Sequence, residues 1–373
     1  MAKSLDKRRF RSHGGDVWGF SRKHNVPVDR ILDFSAPINF LGPSPKSIEA
    51  VKKFSEFIKF YPDPNPIELK KEISEYVKGV NPENIIVGNG SIELIYIFAE
   101  YFSPGFKAVI PVPSFTEYEK AILRAGGEPV MVKMPEDFSL DVDKLEKVVS
   151  NDTRVVFVCN PHSPSGRLYE KEKMLELIDF CCSKNVFVFV DENYIEFVDS
   201  VESATLVPYV KEYDNIFVVR SLSKFFGSPG IRLGYGIGNP EFVSVLEDLR
   251  YPWSINSLAA CATEAALKDT DFIAKTRSLI AKEKKQFVKM LEETGYLKVF
   301  PSQTNFLLVK ILNQKITSPC LKQKLAEKGI LIRDCSTFYG LDDSYIRVTV
   351  RGFSENQKLI EAVKETLKPR NHT

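Results

Sequence analysis

The sequence predicts an α/β fold, in which a mostly parallel central sheet carries helices on both faces in three layers, followed by a smaller α+β domain. Short runs of β-branched and aromatic residues alternate with helical patterns from about residue 46 to residue 240. Runs such as 186–190 are apolar at every position, which is typical of strands that are buried on both faces. Beyond residue 240, longer helical patterns rich in Lys and Glu and a few shorter strand patterns indicate the second domain.

The chain begins with closely spaced glycines and prolines between short apolar pieces, so the first 45 residues are predicted to form an extended arm. Six strands of the central sheet are predicted to follow, at residues 85–88, 108–112, 155–159, 186–190, 216–219 and 233–237. The elements predicted after the sheet are a long helix at 272–293, strands at 306–309, 330–333 and 346–350, and a final helix at 355–367.

These elements divide the chain into three predicted parts. Residues 1–45 form an arm that is expected to contribute to the small domain and to a ligand site. Residues 46–255 form the large sheet domain, and residues 256–373 form the small domain together with the helix that connects the two. The length of 373 residues is sufficient for more than one domain, and a core of that size needs no disulfide or metal.

Composition excludes several classes of protein. The formal net charge is +2 and no basic block is present, which argues against a nucleic-acid surface. No apolar stretch approaches the roughly 18 residues of a membrane span and the first residues lack a signal-peptide core, so a cytoplasmic protein is expected. Six scattered cysteines and four histidines suggest neither a disulfide framework nor a metal site.

Residues that follow the predicted strands are the candidates for chemistry, because ligands of open α/β sheets bind beyond the carboxyl ends of the strands. The segment 88–93, with Gly90 and Ser91, has glycines before a helix start, where free N–H groups favour a phosphate. Alone this is a weak signal, because such turns often serve only tight packing. Asp191 ends the most apolar strand, as either a capping residue or a carboxylate that faces a buried cation.

Lys224 stands out because it lies among hydroxyls, glycines and aromatics directly after a predicted strand, with Arg232 eight residues later. A lysine that acts as a nucleophile must be desolvated or close to another positive charge, so that its amine is free at neutral pH. A solvated lysine is the ordinary alternative, but this neighbourhood is poor in other surface-type residues. Nearby serines and an arginine would suit a phosphate group.

Four segments occur in a recognisable order along the chain, namely Asn160-Pro161, Asp191-Glu192-x-Tyr194, Ser221-x-Ser223-Lys224 and Arg232-x-Gly234. This series resembles the active site of fold-type I pyridoxal 5'-phosphate (PLP) enzymes of the aspartate aminotransferase superfamily, and the resemblance extends over nearly the whole chain. It implies a PLP-binding large domain. It also implies a homodimer in which Tyr61 reaches the cofactor phosphate of the neighbouring subunit.

The resemblance assigns further roles residue by residue. Lys224 would bind PLP covalently, Asp191 would face the pyridinium nitrogen, and Tyr194 would hold the ring hydroxyl together with Asn160, so that Lys224, Asp191 and Tyr194 are the predicted catalytic residues. Phe115 would stack on the ring. The cofactor phosphate would lie in a cup formed by Gly90, Ser91, Ile92, Ser221, Ser223 and Arg232.

Within the superfamily the chain resembles two groups, the histidinol-phosphate aminotransferases and the L-threonine-O-3-phosphate decarboxylases of cobalamin biosynthesis. The segments around residues 13–15, 32–42 and 333–338 are similar to the decarboxylases. The expected reaction is therefore decarboxylation of L-threonine O-3-phosphate to (R)-1-amino-2-propanol phosphate, with L-serine O-phosphate as a second substrate. The residues expected to contact this phosphorylated amino acid are His13, Gly14, Asn39, Asn160, Arg333 and Arg347.

Alternatives and departures accompany this expectation. A histidinol-phosphate aminotransferase of histidine biosynthesis, or another class I/II aminotransferase, is the first alternative, and a PLP-binding regulatory module without turnover is the second. His162 stands where the aminotransferases usually have Asn, and no role is assigned to it. Asp16 follows the arm glycines, and its charge would be unfavourable beside a phosphate unless it pointed away.

Overall fold

The computed structural model describes residues 13–313 and 315–368. The first twelve residues of the predicted arm and the last five of the predicted small domain therefore lie outside the described residues. Within the described ranges, no helix is both long enough and apolar enough to cross a membrane.

A seven-stranded sheet forms the larger part of the molecule. Its strands are β2 (Ile85–Gly88), β3 (Lys107–Val112), β4 (Glu128–Lys133), β5 (Thr153–Cys159), β6 (Phe187–Asp191), β7 (Ile216–Ser221) and β8 (Gly234–Gly238). Their order across the sheet is β2-β8-β7-β6-β5-β3-β4. Only the pairings of β8 with β2 and β7 are antiparallel. The predicted mostly parallel sheet is thus confirmed, and the ends of all six predicted strands match to within two residues.

Helices cover both faces of this sheet. The helices of the described chain are α1 (Val17–His24), α2 (Pro45–Phe54), α3 (Ile67–Val77), α4 (Ser91–Phe102), α5 (Thr116–Arg124), α6 (Val142–Glu146), α7 (Lys171–Ser183), α8 (Val201–Ala204), α9 (Pro240–Leu249), α10 (Ser257–Leu267), α11 (Thr270–Glu292), α12 (Ser318–Ala326) and α13 (Phe353–Leu367). Short 3-10 helices occupy Val28–Arg30, Ser55–Lys59, Pro82–Asn84, Ile195–Phe197 and Val207–Lys211.

Side chains on the two faces of the sheet pack into two separate apolar clusters, because successive side chains of a strand point to opposite faces. In β5, Val156 and Val158 pack into one cluster with residues of α7, while Val155 and Phe157 pack into the other with residues of α4, α5 and α9. Because every strand position is covered, the strands read as continuous apolar runs in the sequence. This is the predicted three-layer arrangement.

A smaller antiparallel sheet follows in the C-terminal third. Its order is β12-β13-β10-β9, formed by β9 (Leu297–Val299), β10 (Phe306–Ile311), β12 (Arg333–Asp334) and β13 (Tyr345–Thr349). It shares an apolar cluster with α12, α13 and the end of α11. In the arm, β1 (Leu32–Asp33) pairs in parallel with β11 (Ile330–Leu331), so the arm contacts this part of the chain. The domain boundaries at residues 45 and 255 stay a prediction.

Three local predictions are corrected. The arm is not extended throughout, because α1 begins at the capping residue Asp16, whose carboxylate accepts a 2.8 Å hydrogen bond from the Gly19 amide. The predicted strand at 330–333 is two short strands that pair with different partners, β11 with β1 and β12 with β13. Strand β4 was not predicted; it contains Pro129 and lies at the sheet edge, where a missing amide donor is tolerated.

Candidate active site

A cavity of about 470 Å³ lies beyond the carboxyl ends of β5, β6 and β7. This volume is typical of a small-molecule site. Among the residues that the structure describes, five basic side chains and two carboxylates line it, which makes it suitable for anions. The predicted site residues that line it are His13, Gly14, Ser91, Ile92, Phe115, Asp191, Tyr194, Ser221, Ser223, Lys224, Arg232, Arg333 and Arg347.

Lys224 lies in the loop after β7, with its side chain on the cavity wall. Burial, together with the nearby positive charges of Arg347 and Arg232, lowers the pKa of its amine to about 8, although Asp191 opposes the shift. The unprotonated fraction of the amine at neutral pH is therefore much larger than that of an ordinary lysine. This is the condition that a nucleophilic lysine needs.

Asp191 ends β6 and is almost fully buried. Its Oδ2 accepts a hydrogen bond from the Tyr118 hydroxyl at 2.5 Å, and its Oδ1 accepts one from the Asn193 amide at 3.0 Å. Burial raises the pKa of this carboxyl, although the hydrogen bonds from Tyr118 and Asn193 and the charge of Lys224 oppose the rise. A buried carboxylate in such surroundings is stabilised by a cationic partner in the cavity.

Asn160 and Tyr194 follow the neighbouring strands β5 and β6. Asn160 is fully buried and does not line the cavity itself; its Oδ1 accepts a hydrogen bond from the Tyr169 amide at 2.8 Å. Its Nδ2 has no hydrogen-bond partner among the described residues, so this donor is available to a ligand beside the site. Tyr194 lines the cavity and packs edge-on against Phe306, with 4.9 Å between ring centroids.

A cradle for a phosphate forms where α4 begins. Gly90, the capping residue, has a φ of 78°, a backbone conformation that favours glycine, and a Cβ at this position would lie 2.6 Å from an Arg232 guanidinium nitrogen. The free N–H groups of the first turn and the Arg232 side chain meet at this point. Arg232 itself has a φ of 62°, a strained conformation that clusters at functional sites.

Two arginines on neighbouring strands of the small sheet also line the cavity. Arg333 on β12 is paired in register with Arg347 on β13, and both are buried. Burial lowers the pKa of Arg333 to about 10, and the charge of Arg347 contributes. Arg347 donates to Ser163 Oγ at 3.1 Å and to the Ser35 carbonyl at 3.3 Å, and its Nε has no partner. Like charges opposite each other destabilise a sheet, which points to an anionic ligand.

Several residues that line or support the cavity were not singled out from the sequence. Tyr118 bonds Asp191, Asn193 bonds Ser91 Oγ at 3.0 Å, and Glu117 and Lys120 lie on the cavity wall. The only sequence signal was their proximity to Phe115 and Asp191. Their partners are distant along the chain, as with the 73 residues that separate Tyr118 from Asp191.

Four predicted residues do not line this cavity: Gly90 and Asn160, which lie beside it as described above, and Asn39 and Tyr61. Asn39 was expected to contact the substrate, but its side-chain amide donates to the Phe225 carbonyl at 2.9 Å and to Thr276 Oγ1 at 3.1 Å, and its backbone amide donates to the Lys224 carbonyl. Asn39 therefore supports the loop that carries Lys224, and its contact with the substrate stays a prediction. Tyr61 is 81% exposed on the surface, and its predicted contact with a neighbouring subunit stays a prediction.

The two departures from the family pattern have structural explanations. His162 is buried, and its Nε2 lies 2.8 Å from the Pro113 carbonyl, which can only accept, so Nε2 donates. Its Nδ1 lies 2.7 Å from Ser165 Oγ. Burial lowers the pKa of His162 to about 4, so the ring is neutral and links two loops of the site. The Asp16 carboxylate caps α1, where it accepts a hydrogen bond from the Gly19 amide.

Comparison with known proteins agrees with this geometry. The sequence profile of the family "Aminotransferase class I and II" matches residues 30–363. The chain belongs to this family. A protein of Caldanaerobacter subterraneus subsp. tengcongensis named "Putative threonine-phosphate decarboxylase" is 38% identical over 364 residues, which cover 97% of this chain and 95% of the relative.

Two solved structures support the same assignment. The histidinol-phosphate aminotransferase of Clostridium acetobutylicum superposes with a TM-score of 0.84 at 33% identity, covering 90% of this chain and 99% of that one. The L-threonine-O-3-phosphate decarboxylase of Porphyromonas gingivalis superposes with a TM-score of 0.80 at 27% identity, covering 91% of this chain and 100% of that one. The fold is that of the fold-type I PLP enzymes.

The cofactor of this family is PLP, and the cavity residues of this chain fit it. Asp191 is a buried carboxylate for which a protonated ring nitrogen is the matching partner. The unpaired Nδ2 of Asn160 supplies a donor for the ring hydroxyl, and the helix start at Ser91 with Arg232 suits the phosphate. Lys224, with its lowered pKa, is the group that would hold the cofactor covalently.

Proposed function

We propose that this protein is a PLP-dependent decarboxylase that converts L-threonine O-3-phosphate into (R)-1-amino-2-propanol phosphate and CO₂ for cobalamin biosynthesis, with L-serine O-phosphate as a second substrate. The observation that carries the proposal is the pair of buried arginines, Arg333 and Arg347, that line the same cavity as Ser91 and Arg232 of the phosphate cradle. The similarity to the decarboxylase-named relatives supports it.

The arginine pair suits a substrate with two separate anions. L-threonine O-3-phosphate carries a carboxylate and a phosphate with a charge of about −2 at neutral pH, close together on a three-carbon backbone. The guanidinium groups of Arg333 and Arg347, on neighbouring strands, are planar, and each can bind two oxygens of an anion in a bidentate manner. Histidinol phosphate has only one anionic group, so this substrate would not place an anion at each of the two arginines, whereas the 2-oxoglutarate of the same reaction would.

When bound, PLP supplies an electron sink for the bond that breaks at the substrate's α-carbon. The protein would select the bond that breaks by holding the substrate's anions and so fixing the orientation of its carboxylate. Arg333 and Arg347 are the groups that would fix this orientation. The α-carbon needs a proton after CO₂ has left, and Lys224 on the cavity wall would deliver it in its ammonium form, which leaves a neutral amine.

The decisive experiment measures CO₂ release from L-threonine O-3-phosphate by the purified holoprotein, without any 2-oxo acid. We expect one CO₂ and one aminopropanol phosphate for each substrate consumed, because decarboxylation needs no amino acceptor. The matched control replaces the substrate with L-threonine, which lacks the second anion and should react far more slowly. Absence of CO₂ from both phosphoamino acids would refute the proposal.

A histidinol-phosphate aminotransferase is the second candidate function. It is favoured by the similarity in structure to the enzyme of that name from Clostridium acetobutylicum. This reaction predicts consumption of histidinol phosphate that depends on 2-oxoglutarate and releases glutamate. Running both assays on the same holoprotein preparation separates the two candidates.

An exposed aromatic patch is proposed as the contact surface of a homodimer. It consists of Phe54, Phe57, Phe60, Tyr61, Tyr251 and Trp253, each at least 37% exposed. The rings of Tyr61 and Trp253 lie 5.0 Å apart, and those of Phe54 and Phe57 lie 5.3 Å apart. Contiguous exposed aromatic surface of this kind marks interaction sites, and enzymes of this fold share their sites across a dimer.

The double substitution Phe57→Ser and Phe60→Ser is expected to shift the protein from dimer to monomer, because it removes two large apolar side chains from the patch. Sedimentation velocity at several protein concentrations measures the shift. Leu123→Ser is the control, since Leu123 is a similarly exposed apolar residue in α5, outside the patch. A wild-type protein that sediments as a monomer at micromolar concentration would contradict the proposed dimer.

A further inference from the structure

Glu117 is a cavity residue to which neither the family resemblance nor the proposed reaction gives a role. It lies in the first turn of α5, two residues after Phe115, where the helix dipole favours a negative charge. Its side chain is only 8% exposed, although it carries a carboxylate in a cavity that otherwise suits anions. A buried carboxylate in this place needs an explanation.

Both carboxylate oxygens of Glu117 accept hydrogen bonds from other parts of the cavity wall. Oε1 lies 2.9 Å from Nε2 of His13 in the arm, and Oε2 accepts from the Tyr96 hydroxyl of α4 at 2.7 Å. The Lys120 ammonium lies 3.5 Å from each oxygen. Burial acts to raise the pKa of Glu117, but the bonds from His13 and Tyr96 and the charge of Lys120 outweigh it and lower the pKa. Glu117 is therefore ionised at neutral pH.

The contact with Glu117 fixes the orientation of the His13 ring. Because a carboxylate only accepts, Nε2 of His13 carries the hydrogen, and Nδ1 has no hydrogen-bond partner among the described residues. His13 lines the cavity, as does Arg333. An imidazolium between two anions can donate one N–H to each, so a ligand anion at Nδ1 would complete the arrangement.

The close approach of the arm at this point is built into its backbone. A Cβ at Gly14 would lie 2.2 Å from the Ser35 carbonyl oxygen, so only glycine fits directly after His13. The Gly15 amide donates to Ser35 Oγ at 2.8 Å. His13 and Glu117 are 104 residues apart in the chain, and their contact ties the arm to the large sheet across the cavity mouth.

We propose that Glu117 is a positioning residue for the phosphate of the substrate, acting through His13. It holds the imidazole so that Nδ1 donates to a phosphate oxygen, and it stabilises the charged imidazole in that contact. The inference rests on the proposed function, since it takes the substrate to be a phosphorylated amino acid. It predicts that a change of Glu117 weakens binding of the phosphate ester but not binding of the amino acid without its phosphate.

The test is a titration of the holoprotein with L-threonine O-3-phosphate and with L-threonine, followed by the change in PLP absorbance. Glu117→Gln is expected to weaken binding of the phosphate ester about tenfold, the size of a charge-assisted hydrogen bond. Binding of L-threonine should change by less than about twofold, because it lacks the group that His13 contacts. The matched control is Glu100→Gln, a 46% exposed glutamate of α4 that is paired at 4.0 Å only with Arg124 among the described residues.

His13→Ala is a second variant, which changes the exposed residue of the pair and leaves the buried Glu117 in place. It should weaken binding of the phosphate ester to a similar extent. The double variant should show no further loss of binding, because the two residues act as one unit. Equal weakening of both ligands in Glu117→Gln, or additive losses in the double variant, would overturn the inference. So would a wild-type protein that binds the ester no more tightly than L-threonine.

Release of CO₂ is measured in the same samples, which separates this inference from the proposed reaction. A holoprotein that binds the phosphate ester through Glu117 but releases no CO₂ supports the positioning role and refutes the decarboxylase.

Discussion

Replacement of Lys224 by alanine is expected to lower the decarboxylation rate by at least about a thousandfold and to remove the borohydride-reducible PLP absorbance band. Lys224 is the lysine of the cavity wall whose amine combines a lowered pKa with a position beside Asp191. The variant loses both the covalent link to the cofactor and the proton donor for the α-carbon. Absorbance before and after borohydride reduction, together with CO₂ release, measures the two losses.

The same residue predicts a pH dependence. Because burial, assisted by the charge of Arg347, lowers the pKa of Lys224 to about 8, its amine is mostly protonated below that pH and mostly free above it. The rate at which PLP combines with the cofactor-free protein should therefore rise as pH increases through 8 and become constant above it. An ordinary lysine would continue to gain reactivity up to a much higher pH.

Lys173→Ala is the control for both measurements. Lys173 is a 50% exposed lysine of α7 whose ammonium is paired with Glu176 at 2.8 Å, and it does not line the cavity. It should leave the absorbance band, the turnover and the pH profile unchanged. If Lys224→Ala keeps a band that borohydride removes, another lysine holds the cofactor and the assignment of Lys224 is wrong.

What could be predicted from the sequence is what the chain encodes locally. A strand that is buried on both faces appears as a continuous apolar run, so β6 and the acid that ends it, Asp191, were visible without a structure. The phosphate cradle was also visible, because Gly90 and the helix start at Ser91 are adjacent in the chain. The identity of the cofactor came from the resemblance of the ordered motifs, since no single motif is specific.

What could not be predicted depends on contacts between distant segments. The hydrogen bond between Tyr118 and Asp191, and the one between His13 and Glu117, form only when the sheet and the arm are in place. The hydrogen bonds of Asn39 could not be predicted for the same reason, because its neighbourhood in sequence says nothing about Phe225 and Thr276. Helix α1 is different, because its two capping residues, Asp16 and Asn25, are ordinary sequence signals for the start and the end of a helix.

Substitution of Arg347 by methionine is expected to lower kcat/KM for L-threonine O-3-phosphate by about a hundredfold to a thousandfold, the cost of losing a desolvated cation that binds a substrate anion. Arg347 is buried and makes no ion pair with a described residue, and its Nε has no hydrogen-bond partner. It also faces Arg333 in register. The protein thus keeps a buried positive charge that nothing described in its own structure neutralises.

Arg220 is the matched comparison, because it is also a buried arginine but is surrounded by carboxylates. Its guanidinium donates to Glu192 at 2.8 Å and to Thr205 at 2.6 Å, and Glu196 lies 3.9 Å away. Arg220→Met would leave two buried carboxylates without their cation, which costs about 3–5 kcal/mol of the free energy of unfolding. Urea unfolding, followed by circular dichroism, measures this loss.

The two variants together decide whether Arg347 serves binding or stability. If Arg347 exists for a substrate anion, Arg347→Met removes a desolvation penalty and a repulsion with Arg333, so its free energy of unfolding should stay within about 1 kcal/mol of the wild-type value or exceed it. Catalysis is then lost while the fold is kept, whereas Arg220→Met loses stability first. A loss of several kcal/mol in Arg347→Met would instead mean that its bonds to Ser163 and Ser35 hold the arm and the site loop together, and that the substrate's anions are bound elsewhere.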